Sequence, residues 1–164
     1  MNVCGLFQGS NFAGYQSWGK KDLVQTAEKI EQIHLQVHSD VIVIDDTGVG
    51  GGVSDILIHK GYPVYRFQGG EKAIDEDKFV NRISEAWFRA REFFEGRMGR
   101  IEKKSDTLEL QLCTREYRVN AGSNMRKIAI EGKQEYEDRT GFPSPDEADA
   151  FVMGVWQLFN EWKR

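Results

Sequence analysis

Apolar positions along this chain switch repeatedly between a period of two and a period near 3.6. Residues Asn2 to Phe7 and Gly14 to Trp18 read as two short strands around the turn Gly9-Ser10-Asn11. Leu23, Ala27, Ile30, Ile33 and Val37 then recur three or four residues apart, the spacing of one helix face. Val41-Ile42-Val43-Ile44 is a continuous β-branched run, which predicts a strand covered on both faces. Gly48 to Gly52 predict a loop, Val53 to Lys60 a short helix ended by Gly61, and Pro63 to Phe67 a further strand. Glu76 to Glu95 predict a helix with Phe79, Ile83, Trp87, Ala90 and Phe94 on one side. Glu85 and Arg89 form a solvated pair on the other. Tyr117 to Val119 and Lys127 to Ile130 flank Asn120-Ala121-Gly122-Ser123 as a hairpin.

The final helix has the strongest start signal. Ser144 suits the cap, Pro145 the first helical position, and Glu147 the far side of a capping box. Its apolar stripe is Ala148, Phe151, Val152, Val155, Phe159 and Trp162. Alternating strands and helices, with no repeat or linker between them, predict a single α/β domain over residues 1–164.

Composition narrows the function classes. With 164 residues, 40% hydrophobic and 12% aromatic, the chain can bury a real core, which excludes a fully disordered protein. The net charge of −4 argues against a protein that coats nucleic acid by bulk charge. No apolar run approaches the roughly 18 residues of a membrane span, and no signal-peptide pattern opens the sequence. Cys4 and Cys113 stand far apart, which suggests neither a zinc site nor a disulfide framework. A reducing cytoplasm is the expected setting.

Three features could carry chemistry, and each has a plainer explanation. Asp45-Asp46 end the β-branched strand, where open α/β sheets place their ligands; acids there can also simply terminate a strand and cap a turn. Thr47-Gly48-Val49-Gly50-Gly51-Gly52 invites comparison with a phosphate loop, but the glycines miss the G-x-G-x-x-G spacing. No Gly-Lys-Ser/Thr follows either, so a nucleotide-binding protein is disfavoured. A tight turn that lets a large substrate approach Asp45 fits better. Asp146 and Asp149, three apart at a helix start, share nearly one face and are favoured as anions there, as hard divalent cations require. Asp146 is equally explained by the helix dipole. Asp149 lies deeper, between Ala148 and Ala150, where an unpaired acid would be costly. His34 and His38 are spaced to bind zinc but lack a third ligand, and the basic segment Arg97 to Lys104 reads as a solvated loop that could touch phosphate.

The order of these parts resembles the C-terminal nuclease domain of phage terminase large subunits. The resemblance rests on Val-Ile-Asp-Asp-Thr-Gly-Val-Gly-Gly-Gly-Val, on Phe79, Asn81, Arg82 and Trp87, on Lys133, and on Ser144-Pro145-Asp146-Glu147-Ala148-Asp149-Ala150. It implies an RNase H-like mixed sheet flanked by helices, and a metal-dependent endonuclease that cleaves double-stranded viral DNA during packaging. It further implies two Mg²⁺ or Mn²⁺ ions held by carboxylates. By match of motif, Asp45 and Asp149 are the metal-binding catalytic acids, Asp146 is an accessory ligand, and Asp46 is the weaker of its pair. The terminase small subunit and portal are the implied partners, in the cytoplasm of a host carrying a phage or prophage.

The resemblance also implies an earlier strand carrying a further catalytic Asp, lying between the first hairpin and the strand ending at Asp45. This sequence has no acid before Asp22. The expectation is therefore an N-terminally truncated domain, without its first strand and without the ATPase domain. Two unpaired edges would flank the gap. The chain is expected to rearrange its N-terminus, close the gap, or form a homo-oligomer through the exposed edges. A catalytically silent prophage remnant or DNA-binding module with the same fold is the alternative reading.

Overall fold

The computed structural model describes residues 1–19, 21–47, 50–103, 105–120 and 126–162. Strands β1 (Asn2–Gln8) and β2 (Asn11–Trp18) form an antiparallel hairpin with a bulge at Leu6/Phe7. Helix α1 (Leu23–Val37) leads to β3 (Ile42–Asp45), helix α2 (Gly50–His59) and β4 (Val64–Phe67), and β4 pairs parallel with β3. Helices α3 (Arg82–Glu95) and α4 (Asp106–Thr114) precede a second hairpin, β5 (Tyr117–Asn120) with β6 (Lys127–Ile130). Helices α5 (Lys133–Thr140) and α6 (Asp146–Trp162) complete the order.

The strand pairs are three separate two-stranded sheets. Helix α6 nevertheless packs against both β1 and β3. Ile42 and Ile44 of β3 also pack with Ala27 of α1 and with Val53 and Leu57 of α2. Helix α6 thus spans the first two sheets. Among the described residues β1 and β3 do not pair with each other, so the gap expected between them is not closed within one chain.

The β-branched strand is covered on both faces, as its composition requires: Ile42 and Ile44 face the α1/α2 cluster, and Val43 packs against the larger core beneath. That core collects Phe12, Phe67, Trp87, Phe93, Leu108, Phe151, Val152, Val155 and Trp156. Each fully buried side chain of this size contributes roughly 1.5–3 kcal/mol relative to exposure.

Several boundaries differ from expectation. Helix α2 starts at Gly50, so the expected loop shortens; Gly48 and Val49 lie outside the described residues. Gly61, at φ +85°, follows it in the left-handed region, as its place after the helix predicts. Helix α3 begins at Arg82, because the Asn81 side chain accepts from Ser84 N–H and caps it there. The preceding segment bridges to β6 through Phe79 and Ile128. Strands β5 and β6 pair as predicted, while turn residues Ala121 to Ser123 lie outside the described residues, as does the Trp162 side chain. The capping box of α6 is not formed as expected. Ser144 donates its hydroxyl to Asp146 Oδ1 (2.7 Å), and Glu147 accepts from Ser105 (3.2 Å).

Gly154 sets the distance between α6 and β1. A Cβ there would lie 2.2 Å from Cε2 of Phe7, whose ring is itself held against Phe12 and Phe151. Alanine would gain about 1 kcal/mol in helix propensity. Overpacking of a filled core costs about 1–3 kcal/mol. Gly154→Ala is therefore expected to lower stability on balance, and a higher melting temperature would contradict this packing account.

Candidate functional site

Asp45 is the last residue of β3, and its Oδ1 accepts the Thr47 N–H at 3.2 Å. Its neighbour Asp46 points elsewhere. Asp46 Oδ2 accepts from Gln68 Nε2 at 3.2 Å and from Arg66 Nη1 at 3.4 Å. Burial opposes ionisation of Asp46, but Ser54, Gln68 and Arg66 together outweigh it and hold the carboxyl below its ordinary value. Ser54 Oγ and Asp46 Oδ1 are still not aligned as a hydrogen bond. Asp46 is committed to tying β3, β4 and α2 together, which leaves Asp45 as the less encumbered acid of the pair.

Asp146 and Asp149 meet at Lys133. The Lys133 ammonium lies 3.1 Å from Asp149 Oδ2 and 3.8 Å from Asp146 Oδ1. Burial works against this charge, but Asp149, then Asp146 and Asp45, outweigh it and raise the Lys133 pKa. Two acids of α6 thus pair with one ammonium, and Asp45 of β3 adds the weakest of these attractions to it. Asp146 also lies 3.6 Å from the Met1 α-ammonium. Asp149 is 6% exposed and accepts a hydrogen bond from Trp87 Nε1 at 3.2 Å. Its burial is thus compensated by named donors, which answers the cost expected of an inward acid.

Two contributors carry no signal in the chain's periodicity. Arg115, after α4, is nearly fully buried, with Nη1 4.0 Å from Asp149 Oδ1. Gln111 of α4 accepts the Ala148 N–H at 3.0 Å, satisfying one of the free donors of the first turn of α6. Lys133 itself was legible only as part of a resemblance.

The donor set is all carboxylate oxygen, the chemistry hard divalent cations select. Among the described residues, however, no three His, Cys, Asp or Glu side chains converge closely enough to hold a metal ion. The acids that meet at Lys133 are a partial set. His34 is not part of any such set; its Nδ1 pairs with the Ser39 hydroxyl at 2.7 Å.

No family model matches the chain, and no curated protein matches it. Solved structures do. The nuclease domain of the large terminase subunit of bacterial virus Sf6 superposes with a TM-score of 0.76 at 19% identity, over 92% of this chain and 80% of that one. A lysine-to-alanine mutant of the same domain, determined with manganese, gives the same TM-score and identity over 92% and 81%. The large terminase nuclease of thermophilic phage G20c with bound cobalt gives 0.65 at 11% identity, over 95% and 80%. The fold is that of a terminase nuclease domain. Its RNase H-like α/β architecture matches the class implied by the sequence. Among the described residues no helix is long and apolar enough to cross a membrane.

A buried acid away from α6 sets an acid-stability expectation. Burial of Glu131 opposes its ionisation, but hydrogen bonds from Arg139 (2.5 and 3.1 Å) and the Glu116 N–H (2.7 Å) outweigh it and lower its pKa. Glu131 and Asp46 are therefore both lowered when folded. Their contribution is present above the unfolded-state values near pH 4 and is lost as pH falls through the folded ones. The urea midpoint should fall below about pH 4. Glu131→Gln should shrink that fall, and an undiminished acid loss in the variant would contradict the assignment.

Proposed function

We propose that this chain is the nuclease domain of a phage DNA-packaging terminase and hydrolyses phosphodiesters of double-stranded DNA with divalent metal, Mg²⁺ or Mn²⁺. The observation that carries this reading is the convergence of Asp149 and Asp146 on Lys133, with Asp45 adding to the same field. The convergence lies beside the carboxyl end of a strand, the usual ligand crevice of an open α/β sheet. Neighbours of the same fold were determined with manganese, calcium, cobalt and magnesium. In this reading Asp45, Asp149 and Asp146 are the metal-binding acids. Metal, when bound, would activate water for attack and stabilise the leaving oxygen.

A complete site needs more oxygen ligands than the described residues bring together. Among the described residues β1 and β3 each keep an unpaired edge, which can accept a further strand from a second copy or another segment of polypeptide, and the resemblance implies that such a strand carries an acid. Local contacts to DNA, rather than the net charge of −4, would supply affinity.

The test is nicking of supercoiled plasmid with Mn²⁺, with Mg²⁺ and with EDTA, using Asp45→Ala as control. Metal-dependent nicking that disappears in Asp45→Ala is the expected result. A folded protein that cuts nothing with either metal, or an Asp45→Ala variant that cuts as well as the parent, overturns the reading.

A further inference from the structure

The two oxygens of Asp149 have different surroundings. Oδ2 faces Lys133, whose side chain is about half exposed. Oδ1 faces inward, where Trp87 Nε1 donates to it at 3.2 Å and Arg115 Nη1 lies 4.0 Å away. Arg115 has little freedom. Its guanidinium sits over the rings of Trp87 and Tyr136, 5.3 and 5.6 Å from their centroids, while Nε and Nη2 donate to the Glu131 carbonyl at 3.1 and 2.7 Å. Among the described residues the buried Nη1 has no hydrogen-bond partner. An unpaired buried donor is unfavourable, so its placement beside Asp149 is explained by attraction to that carboxylate. The helix start is held from the same side, by Gln111 accepting the Ala148 N–H and by the Ser105 hydroxyl donating to the Glu147 carboxylate. Consecutive residues 147, 148 and 149 are thus each secured by the 105–115 segment.

We propose that Trp87 and Arg115 are positioning residues for Asp149. They anchor Oδ1 in the protein and leave Oδ2 as the one oxygen presented to a cation. This rests on the metal-dependent reading given above. A ligating carboxylate whose second oxygen is fixed by donors is pre-oriented, and loss of such a donor typically weakens metal binding 10–100-fold.

The deciding variant is Trp87→Phe, which keeps an aromatic ring under Arg115 but removes the N–H. Binding of Mn²⁺ alone is measured by the electron paramagnetic resonance of the free ion, at a temperature where circular dichroism shows both proteins folded. The Lys133 ammonium resonance, assigned with Lys133→Ala, reports the Asp149 pairing without metal. The expected result is roughly tenfold weaker Mn²⁺ binding and a displaced Lys133 resonance in Trp87→Phe. Arg115→Met, which keeps the stem and removes the charge, should do the same. A folded Trp87→Phe protein with parental Mn²⁺ affinity overturns the proposal. If the parent binds no Mn²⁺, the metal-dependent reading falls by itself. The ammonium resonance then decides, since an unmoved signal in Trp87→Phe overturns the positioning role and a displaced one sustains it.

Discussion

Asp149→Asn should reduce metal-dependent cleavage by roughly a hundredfold or more. Lewis-acid stabilisation by a bound ion is worth several kcal/mol, and each 1.36 kcal/mol is a factor of ten in rate. Asparagine keeps an oxygen for the Trp87 N–H but loses the charge that faces Lys133 and Arg115. Two cations would then stand near a neutral amide, so Mn²⁺ affinity should fall together with the rate. Asp146→Asn should cost less in both respects, because Asp146 lies farther from Lys133 and is shared with Ser144. The check is a plasmid-nicking time course for both variants beside a Mn²⁺ titration. Parental rates in Asp149→Asn would remove this residue from the site, and a larger loss in Asp146→Asn would reverse the ranking.

The largest effect on stability is expected at Glu85. It is fully buried in α3, and Oε2 accepts the N–H groups of Ile74 (2.6 Å) and Asp75 (3.2 Å) while Oε1 pairs with Arg89 at 2.9 Å. One carboxylate thereby anchors the segment that crosses from β4 to α3. Glu85→Ala would orphan two backbone donors and leave Arg89 with only Glu92 of its two acidic partners. Breaking one partner of a buried charged pair typically destabilises by about 3–5 kcal/mol. Urea unfolding followed by circular dichroism would measure it, and a loss within about 0.5 kcal/mol, the range of ordinary surface substitutions, would show that the anchor is dispensable.

Glu85 also marks where sequence patterning stops being informative. Its spacing to Arg89 is visible, and it correctly places both on one helix. The burial is not visible, because Ile74 and Asp75 donate to Glu85 from eleven and ten positions away. Helix α4 was hidden for a different reason: Leu108-Glu109-Leu110-Gln111-Leu112 alternates with the period of a strand, and only the Ser105 cap favours a helix. Helix α5 has just one buried residue, Tyr136, so no apolar stripe announces it. Helix α6 and β3 were legible because their apolar positions, Phe151, Val152, Val155 and Trp156 on one and Ile42 and Ile44 on the other, face a core, and both acid-bearing ends fall on these two elements. The supports of Asp149 were not legible. Trp87, Gln111 and Arg115 come from positions 62, 37 and 34 residues before the groups they meet, and long-range polar contacts leave no local period.

The two hydrophobic clusters have a consequence for how the molecule opens. Asp45 stands on β3, whose inner face belongs to the small cluster of Ala27, Ile42, Ile44, Val53 and Leu57. Asp146 and Asp149 stand instead on α6, which belongs to the larger core, and β3 and β4 reach that core through Val43, Tyr65 and Phe67. Local opening follows such cooperative units. An opening that loosens α1 and α2 and frees β3 from its Val43 contact would carry Asp45 away and leave the α6 acids in place. A ligand gripping both sets would act as a clasp between the units, and amide hydrogen exchange should then slow in α1 and α2, far from the bound group itself.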